Sequence, residues 1–250
     1  MIPHSNSLIR VVDPSNNTVS VVFTLINVTI GNFSGATLAP NGKIYLAPYY
    51  QSCFTVIDPN ANTISTFGTF VGVGGNYVSA VVAPNGKIYF SPFGNSLIRV
   101  VDPSNNSVAV VNTITNASIA GCVLAPNGKI YHIPYIGRTQ STCIDPTNDS
   151  ISTVATFSGG SVGAVLSPNG KIYLVPGNLT VGQFIDPNTN TVGTYNYTFT
   201  GNQAYSGGVL ASNGKIYLFP WNTTQFAALN NLNKNNWNLN VCTNPLFNKL

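Results

Sequence analysis

The sequence predicts an all-β fold, a β-propeller of five four-stranded blades. Three observations carry that prediction. The string NGKIY occurs five times, beginning at Asn41, Asn85, Asn127, Asn169 and Asn213, with spacings of 44, 42, 42 and 44 residues. An Asp-Pro pair after apolar residues also occurs five times, at Asp13, Asp58, Asp102, Asp145 and Asp186, with spacings of 45, 44, 43 and 41. No helix-length 3.6-residue apolar period interrupts the pattern. Four short antiparallel strands repeated every ~40–45 residues are the signature of propeller blades. Residues 6–17 (NSLIRVVDPSNN) are identical to residues 95–106, two repeats later, which points to duplication.

Each repeat resolves into strands a to d. Strand a is apolar and ends in Ala-Pro, as in GCVLAP ending at Pro126. Asn-Gly follows, and that pair predicts a type I′ hairpin turn, which needs φ > 0 at both central residues. Strand b is KIYLAP or a variant, and strand c is TVID or RVVD. Asp-Pro-x-x-Asn then predicts a turn, because Pro presets φ and Asp bonds nearby backbone N–H groups. Strand d is TISTF or SVAVV. One such sheet alone cannot bury both faces, whereas stacked blades bury them against each other.

The propeller is expected over residues 1–222. Met1-Ile2-Pro3 aligns with Leu46-Ala47-Pro48, so residues 1–32 supply strands c and d only. The last NGKIY, at 213–217, supplies a and b, and the expected closure pairs these N- and C-terminal halves into one blade. A six-bladed alternative would leave the N-terminal half-blade without its inner strands. Residues 223–250 are an Asn-rich extension or a degenerate blade, since Gln225-Phe226 lies 42 residues after Gln183-Phe184.

Charged residues make up only 6% of the chain, against about 25% in typical soluble proteins. All six acidic residues are Asp, and five of them occupy the repeated turn. Glycoside hydrolysis needs paired carboxylates, and few remain for such a role. The expectation is therefore a protein that is not an enzyme and uses no cofactor. The net charge is +4 with no basic run, so no nucleic-acid partner is expected. Apolar stretches are of strand length, far short of the ~20 residues of a membrane helix, so no membrane insertion is expected. The segment MIPHSNSLIRVVD lacks the charged and apolar regions of a signal peptide. Cys53, Cys122, Cys143 and Cys242 show no CxxC spacing, and His4 and His132 share no repeat position, so no metal site is expected.

The repeated positions are read as structure. Asp13, Asp58, Asp102, Asp145 and Asp186 each hold their own c–d turn, and Asp149 is a solvated turn residue. Lys43, Lys87, Lys129, Lys171 and Lys215 follow the Asn-Gly turns and keep the hairpin ends soluble. Tyr45, Tyr89, Tyr131, Tyr173 and Tyr217 lie in strand b as core residues. The variable b–c and d–a loops form the candidate binding face. Their b–c members are Tyr49, Tyr50, Phe93, Tyr135, Arg138 and Trp221, and their d–a members include Phe70, Asn76, Tyr77, Gln203 and Tyr205. Aromatics beside Asn, Gln and Arg suit sugar stacking or protein contact.

The pattern (Ala/Ser)-Pro-Asn-Gly-Lys-Ile-Tyr, followed by Val-Ile-Asp-Pro-x-x-Asn-Thr, resembles the YVTN/NHL-type propeller repeats over residues 1–222. Similar repeats are found in surface-layer, other cell-surface, phage and algal proteins. The resemblance implies the propeller fold and leaves function open, because propellers host many functions. Two function classes follow. One is a binding module, lectin-like or a receptor-binding adhesin, that meets a protein or glycan through the loop face. The other is a structural component of a virion, tail fibre or surface layer, with residues 223–250 as a docking arm. A homo-oligomer or larger assembly suits the second class, and a virion or extracellular surface suits both.

Overall fold

The computed structural model describes residues 8–24, 33–71, 75–115, 118–199, 204–224, 226–229 and 239–242. It is all-β, a five-bladed propeller arrangement of four-stranded blades with an added N-terminal hairpin. The chain divides into two compact units, residues 1–117 and 118–250.

The first unit opens with the hairpin β1 (Leu8–Asp13) and β2 (Thr18–Thr24). The first blade follows as β3 (Phe33–Leu38), β4 (Ile44–Pro48), β5 (Phe54–Asp58) and β6 (Thr63–Phe67). The second is β7 (Tyr77–Val82), β8 (Ile88–Pro92), β9 (Leu97–Asp102) and β10 (Ser107–Thr113). In the second unit the third blade is β11 (Ile119–Leu124), β12 (Ile130–Pro134), β13 (Gln140–Asp145) and β14 (Ser150–Thr156). The fourth is β15 (Ser161–Leu166), β16 (Ile172–Pro176), β17 (Val181–Asp186) and β18 (Thr191–Thr198). The fifth is β19 (Tyr205–Leu210), β20 (Ile216–Pro220), β21 (Phe226–Leu229) and β22 (Leu239–Cys242). Every blade is an antiparallel meander in chain order.

The same local chemistry builds each blade. Strand a carries a register shift at its start in all five, between Phe33/Gly35, Tyr77/Ser79, Ile119/Gly121, Ser161/Gly163 and Tyr205/Gly207. The a–b turn differs from the type I′ expectation. Gly42 has φ 78°, but Asn41 is not left-handed. The Gly42 N–H donates to the Ala39 carbonyl at 3.0 Å, and the Ala39 N–H donates to the Lys43 carbonyl at 2.9 Å. Pro40 gives the reason: it has no N–H to close a two-residue loop onto Lys43, and its φ near −65° suits the first central position of a type I turn. The result is a three-residue loop ending in a left-handed Gly.

The c–d turn is closed by its Asp. Asp58 Oδ1 accepts the Asn60 N–H at 3.0 Å, and Asp102 Oδ1 accepts the Ser104 N–H at 2.9 Å. Asp13, Asp145 and Asp186 accept the N–H two residues on in the same way. The fifth turn residue is left-handed in each repeat, at Asn17, Asn62, Asn106, Asp149 and Asn190. Asp149 is therefore a member of the repeat, standing where the others have Asn, and not an acid outside the pattern.

Apolar faces meet between successive blades of each unit. Tyr45, Phe54 and Val56 of the first blade pack with Tyr77, Ile88, Phe90 and Val101 of the second. Tyr131, Ile133 and Cys143 of the third pack with Ile172, Leu174 and Ile185 of the fourth. Tyr173, Val175 and Tyr195 of the fourth pack with Ile216, Leu218, Ala227 and Leu229 of the fifth.

The strand closure departs from expectation. The β19–β20 hairpin takes its third and fourth strands from β21 and β22, while β1 and β2 form a separate two-stranded sheet. Residues 226–229 lie a short loop away from β20, and short loops close at lower entropic cost than distant segments. Ala227, Ala228 and Leu229 are all buried there. The segment beyond residue 222 thus contributes β21 and β22 to a blade.

Candidate functional site

The variable loops divide between the two units. In the first, Tyr49 and Tyr50 leave β4, and Phe93 leaves β8. Tyr49 meets Tyr50 edge-on with ring centroids 4.8 Å apart, and lies 5.8 Å from Phe93 at a tilt of 44°. Tyr50 is 52% exposed, so the cluster presents a ring to solvent.

Asn76, in the β6–β7 connection, holds these loops in place. Its N–H donates to the Tyr49 carbonyl at 2.8 Å, and its carbonyl accepts the Phe93 N–H at 3.0 Å and Asn95 Nδ2 at 2.9 Å. Its side-chain Nδ2 donates to the Gln51 carbonyl at 3.0 Å. Asn76 is buried, and its Oδ1 has no partner within the protein. Such an acceptor is costly unless a water or ligand donor serves it. Gly75 beside it has φ 64°, and a Cβ there would stand 3.2 Å from Phe93 and 3.7 Å from the Tyr49 hydroxyl. The aromatic packing and the left-handed backbone both call for glycine.

In the second unit, Tyr135 and Arg138 share one tight turn, in which the Arg138 N–H donates to the Tyr135 carbonyl at 2.9 Å. The Tyr135 N–H donates to the Ser118 carbonyl at 2.9 Å. A Cβ on Gly160 would fall 2.3 Å from the Tyr135 carbonyl oxygen, so glycine lets this loop lie against the β14–β15 connection. Trp221 is 68% exposed just after β20. The six predicted loop residues therefore form three groups: Tyr49, Tyr50 and Phe93; Tyr135 and Arg138; and Trp221 alone.

Two predicted loop aromatics are instead core. Tyr77 and Tyr205 begin strand a and are buried, because the strand starts one register shift earlier than the apolar run suggested. Gln203 lies outside the described residues. Arg99, which sequence reasoning did not single out, crosses the face of Phe70 at 4.7 Å and donates to the Tyr77 hydroxyl. Arg99 and Phe70 line a cleft of about 330 Å³ with Gly68, Asn106 and Val108. The Arg in strand c, shared with Arg10 and replaced by Thr55, Thr142 and Gln183 in other blades, was the available signal.

The repeated charges pair within blades. Lys43 Nζ lies 3.2 Å from Asp58, Lys129 lies 3.3 Å from Asp145, and Lys171 lies 3.5 Å from Asp186. The lysines thus meet aspartates already held by turn donors. The Ala61 backbone N–H, then Lys43, holds the Asp58 carboxyl below its ordinary range, and the Thr147 hydroxyl does the same first for Asp145.

The repeated tyrosines do more than fill core. The Tyr45 hydroxyl donates to Asn106 Oδ1 of the next blade at 2.8 Å, and Tyr131 donates to Asn190 Oδ1 at 2.6 Å. Asn41 and Asn127 support this clasp by donating to the Pro103 and Pro187 carbonyls. Burial raises the Tyr131 and Tyr173 hydroxyls to about 12, so both stay protonated.

His132 is buried in β12, with Nδ1 3.0 Å from Thr142 Oγ1 and Nε2 without a partner. Burial lowers its pKa to about 4. Cys53, Cys122 and Cys143 are free thiols, and burial raises Cys53 and Cys143.

The chain's propeller fold aligns with solved structures. A catalytically inactive variant of virginiamycin B lyase from Staphylococcus aureus, crystallised with quinupristin, aligns with TM-score 0.78 at 10% identity, covering 95% of this chain and 78% of that one. A streptogramin B lyase aligns with TM-score 0.70 at 14% identity, covering 88% and 72%. Hydrazine synthase of Kuenenia stuttgartiensis aligns with TM-score 0.65 at 16% identity, covering 87% and 68%. No family model matches the chain. No curated protein matches it. Identities this low carry the fold alone, and the neighbours' names span unrelated chemistries.

Proposed function

We propose that the protein is a non-enzymatic binding module that engages a glycan or a protein through its variable loops. The observation that carries this is the Tyr49–Tyr50–Phe93 cluster. Three aromatic rings stand together at the surface, Tyr50 is exposed, and Asn76 fixes their loops by four hydrogen bonds. A preorganised aromatic platform loses little side-chain entropy on binding. It also offers the apolar ring faces that sugars and protein hot spots use. The unserved Asn76 Oδ1 adds an acceptor behind the platform. Trp221 and the Tyr135–Arg138 turn are further exposed or half-exposed contacts of the same type, in the second unit.

The charge inventory supports a role without catalysis. The repeat aspartates are engaged by turn donors, and the described histidine is a neutral core residue. General acid–base work needs a group that can reach substrate near its own pKa.

A glycan array probed with the intact chain, followed by calorimetry on the best hit, tests the reading. Tyr50→Ala is expected to weaken binding about tenfold, or ~1.4 kcal/mol, while leaving the melting temperature unchanged. Trp221→Ala separates the two units' contributions. Binding that is indifferent to Tyr50, Phe93, Tyr135, Arg138 and Trp221 alike would remove the loop face from the function.

A further inference from the structure

We propose that the cleft between the first and second blades is a binding site for a small organic carboxylate, held by the guanidinium of Arg99. The proposal does not depend on the loop-face reading. It starts from how the cleft arises. Strand d has seven residues in β10 and β14 and eight in β18, but only five in β6. Gly68 ends β6 with φ 57°, and a Cβ there would stand 2.6 Å from Val108 Cγ2, so only glycine fits this turn against β10. The Phe70 N–H then donates to the Ser52 carbonyl, as the Phe157 N–H does to the Thr139 carbonyl and the Phe199 N–H to the Thr180 carbonyl. Phe157 and Phe199 are buried, whereas the equivalent Phe70 is only half-buried. Beside it lies a space of about 330 Å³, walled by β10 and by Arg99 of β9. That volume is within the range of small-molecule sites.

Charge selects the ligand. Arg99 stands directly opposite Val110 in the β9–β10 ladder, so both side chains leave the same face of the sheet. Its guanidinium lies 4.7 Å from the Phe70 ring centroid and 5.9 Å from that of Tyr77, and it donates to the Tyr77 hydroxyl. That hydroxyl in turn donates to the Leu97 carbonyl at 3.2 Å. Two rings and a hydrogen-bond chain thus fix the guanidinium before a ligand arrives. Among the described residues no carboxylate neutralises it. Asp58 is held low by the Ala61 N–H and Lys43, and Asp102 by Ser104 and Lys87, with no part played by Arg99 in either. Tyr77 is no counter-ion, because burial raises its hydroxyl by more than Arg99 lowers it.

The rest of the lining agrees. Asn106 spends its Oδ1 on the Tyr45 hydroxyl at 2.8 Å, which leaves its Nδ2 as a second donor. Val108 and Val110 form an apolar wall, and Val110 is 52% exposed. Donors select an anion, a planar guanidinium matches the two oxygens of a carboxylate, and the valine wall favours an organic body over a bare ion. Strand c does not need arginine for its own sake. Thr55, Thr142 and Gln183 hold the equivalent place in the first, third and fourth blades.

The test titrates the ¹⁵N-labelled intact chain with benzoate and with glucuronate, using benzamide and glucose as uncharged controls. NMR follows the Arg99 Nε–H and the amides of Gly68 and Val108. Saturable shifts with a carboxylate, absent with its uncharged counterpart, are the expected result. Saturation by glucuronate alone points to an acidic sugar and by benzoate alone to an aromatic acid, and either supports the proposal. Arg99→Gln, a residue that strand c of the fourth blade already accepts, is expected to weaken binding at least about tenfold. Arg99→Lys keeps the charge and the fold but loses the fork, and is expected to weaken it about three- to tenfold. The proposal is overturned if neither acid gives a saturable shift, if the uncharged controls shift the same signals equally, or if affinity survives both substitutions. Sulfate binding as tightly as the acids would also overturn it, because the cleft would then read charge alone.

Discussion

At the scale of single residues, His132 shows how one side chain sets a pH limit. Its equivalents in the first, fourth and fifth blades are Leu46, Leu174 and Leu218, all buried. An imidazole in that slot stays neutral, since burial lowers its pKa from 6.5 to about 4. The sign follows from proton counting. Below pH 6.5 the unfolded chain binds a proton that the folded chain refuses, so stability is full above 6.5 and lost as pH falls toward 4. The gap corresponds to ~3 kcal/mol at most. His132→Leu is expected to flatten the fall in urea midpoint between pH 6.5 and 4.5, a range above the ordinary titration of the turn aspartates. An equally steep fall in the variant would assign the acid sensitivity elsewhere.

At the scale of the element, the c–d turn isolates a backbone effect. Asn62 holds φ 51° at the turn's fifth position. Unlike Asn106, it follows a hairpin with no strand b among the described residues, so no tyrosine there clasps it from the preceding sheet. Asn62→Gly is expected to leave stability within a few tenths of a kcal/mol, whereas Asn62→Ala costs about 1 kcal/mol through the left-handed penalty. Urea melts of the two variants check this, and equal losses would mean that the Asn62 side chain acts by contact. The sequence announced the turn but not this left-handed residue, because Asp-Pro draws attention to the turn's start while its end is an ordinary Asn. The strands were legible for a related reason: Asn-Gly and Asp-Pro punctuate them, and local chemistry fixes local geometry. The type I′ expectation failed on one neighbour, Pro40, which lacks the N–H a two-residue loop would need and fits the first central position of a type I turn. The fifth blade's outer strands were only faintly legible, since Phe226-Ala-Ala-Leu has lost the repeat's turn. Of the candidate site, the loop aromatics were legible as a list, but their grouping was not. The contact of Tyr49 with Phe93 depends on Asn76, a residue remote from both in sequence.

At the scale of the whole molecule, stacked blades draw stability from each sheet and from the interfaces between neighbours. The tyrosine clasp is an interface term that can be removed by one atom. In the first unit the Tyr45 hydroxyl reaches Asn106 Oδ1 at 2.8 Å and the Pro103 carbonyl at 3.3 Å, both in the next blade. The Tyr217 hydroxyl, in the same repeat position, accepts only Asn213 Nδ2 of its own blade among the described residues. Tyr45→Phe strands two acceptors at a blade interface and is expected to cost about 1–2 kcal/mol, while Tyr217→Phe costs less than about 0.5. If the clasp couples blades, Tyr45→Phe also broadens the urea transition, because the first and second blades then open less cooperatively. Equal losses in the two variants would reduce the repeated tyrosines to core fillers, and the interface would then rest on apolar packing, in which Phe54 meets Tyr77 and Phe90.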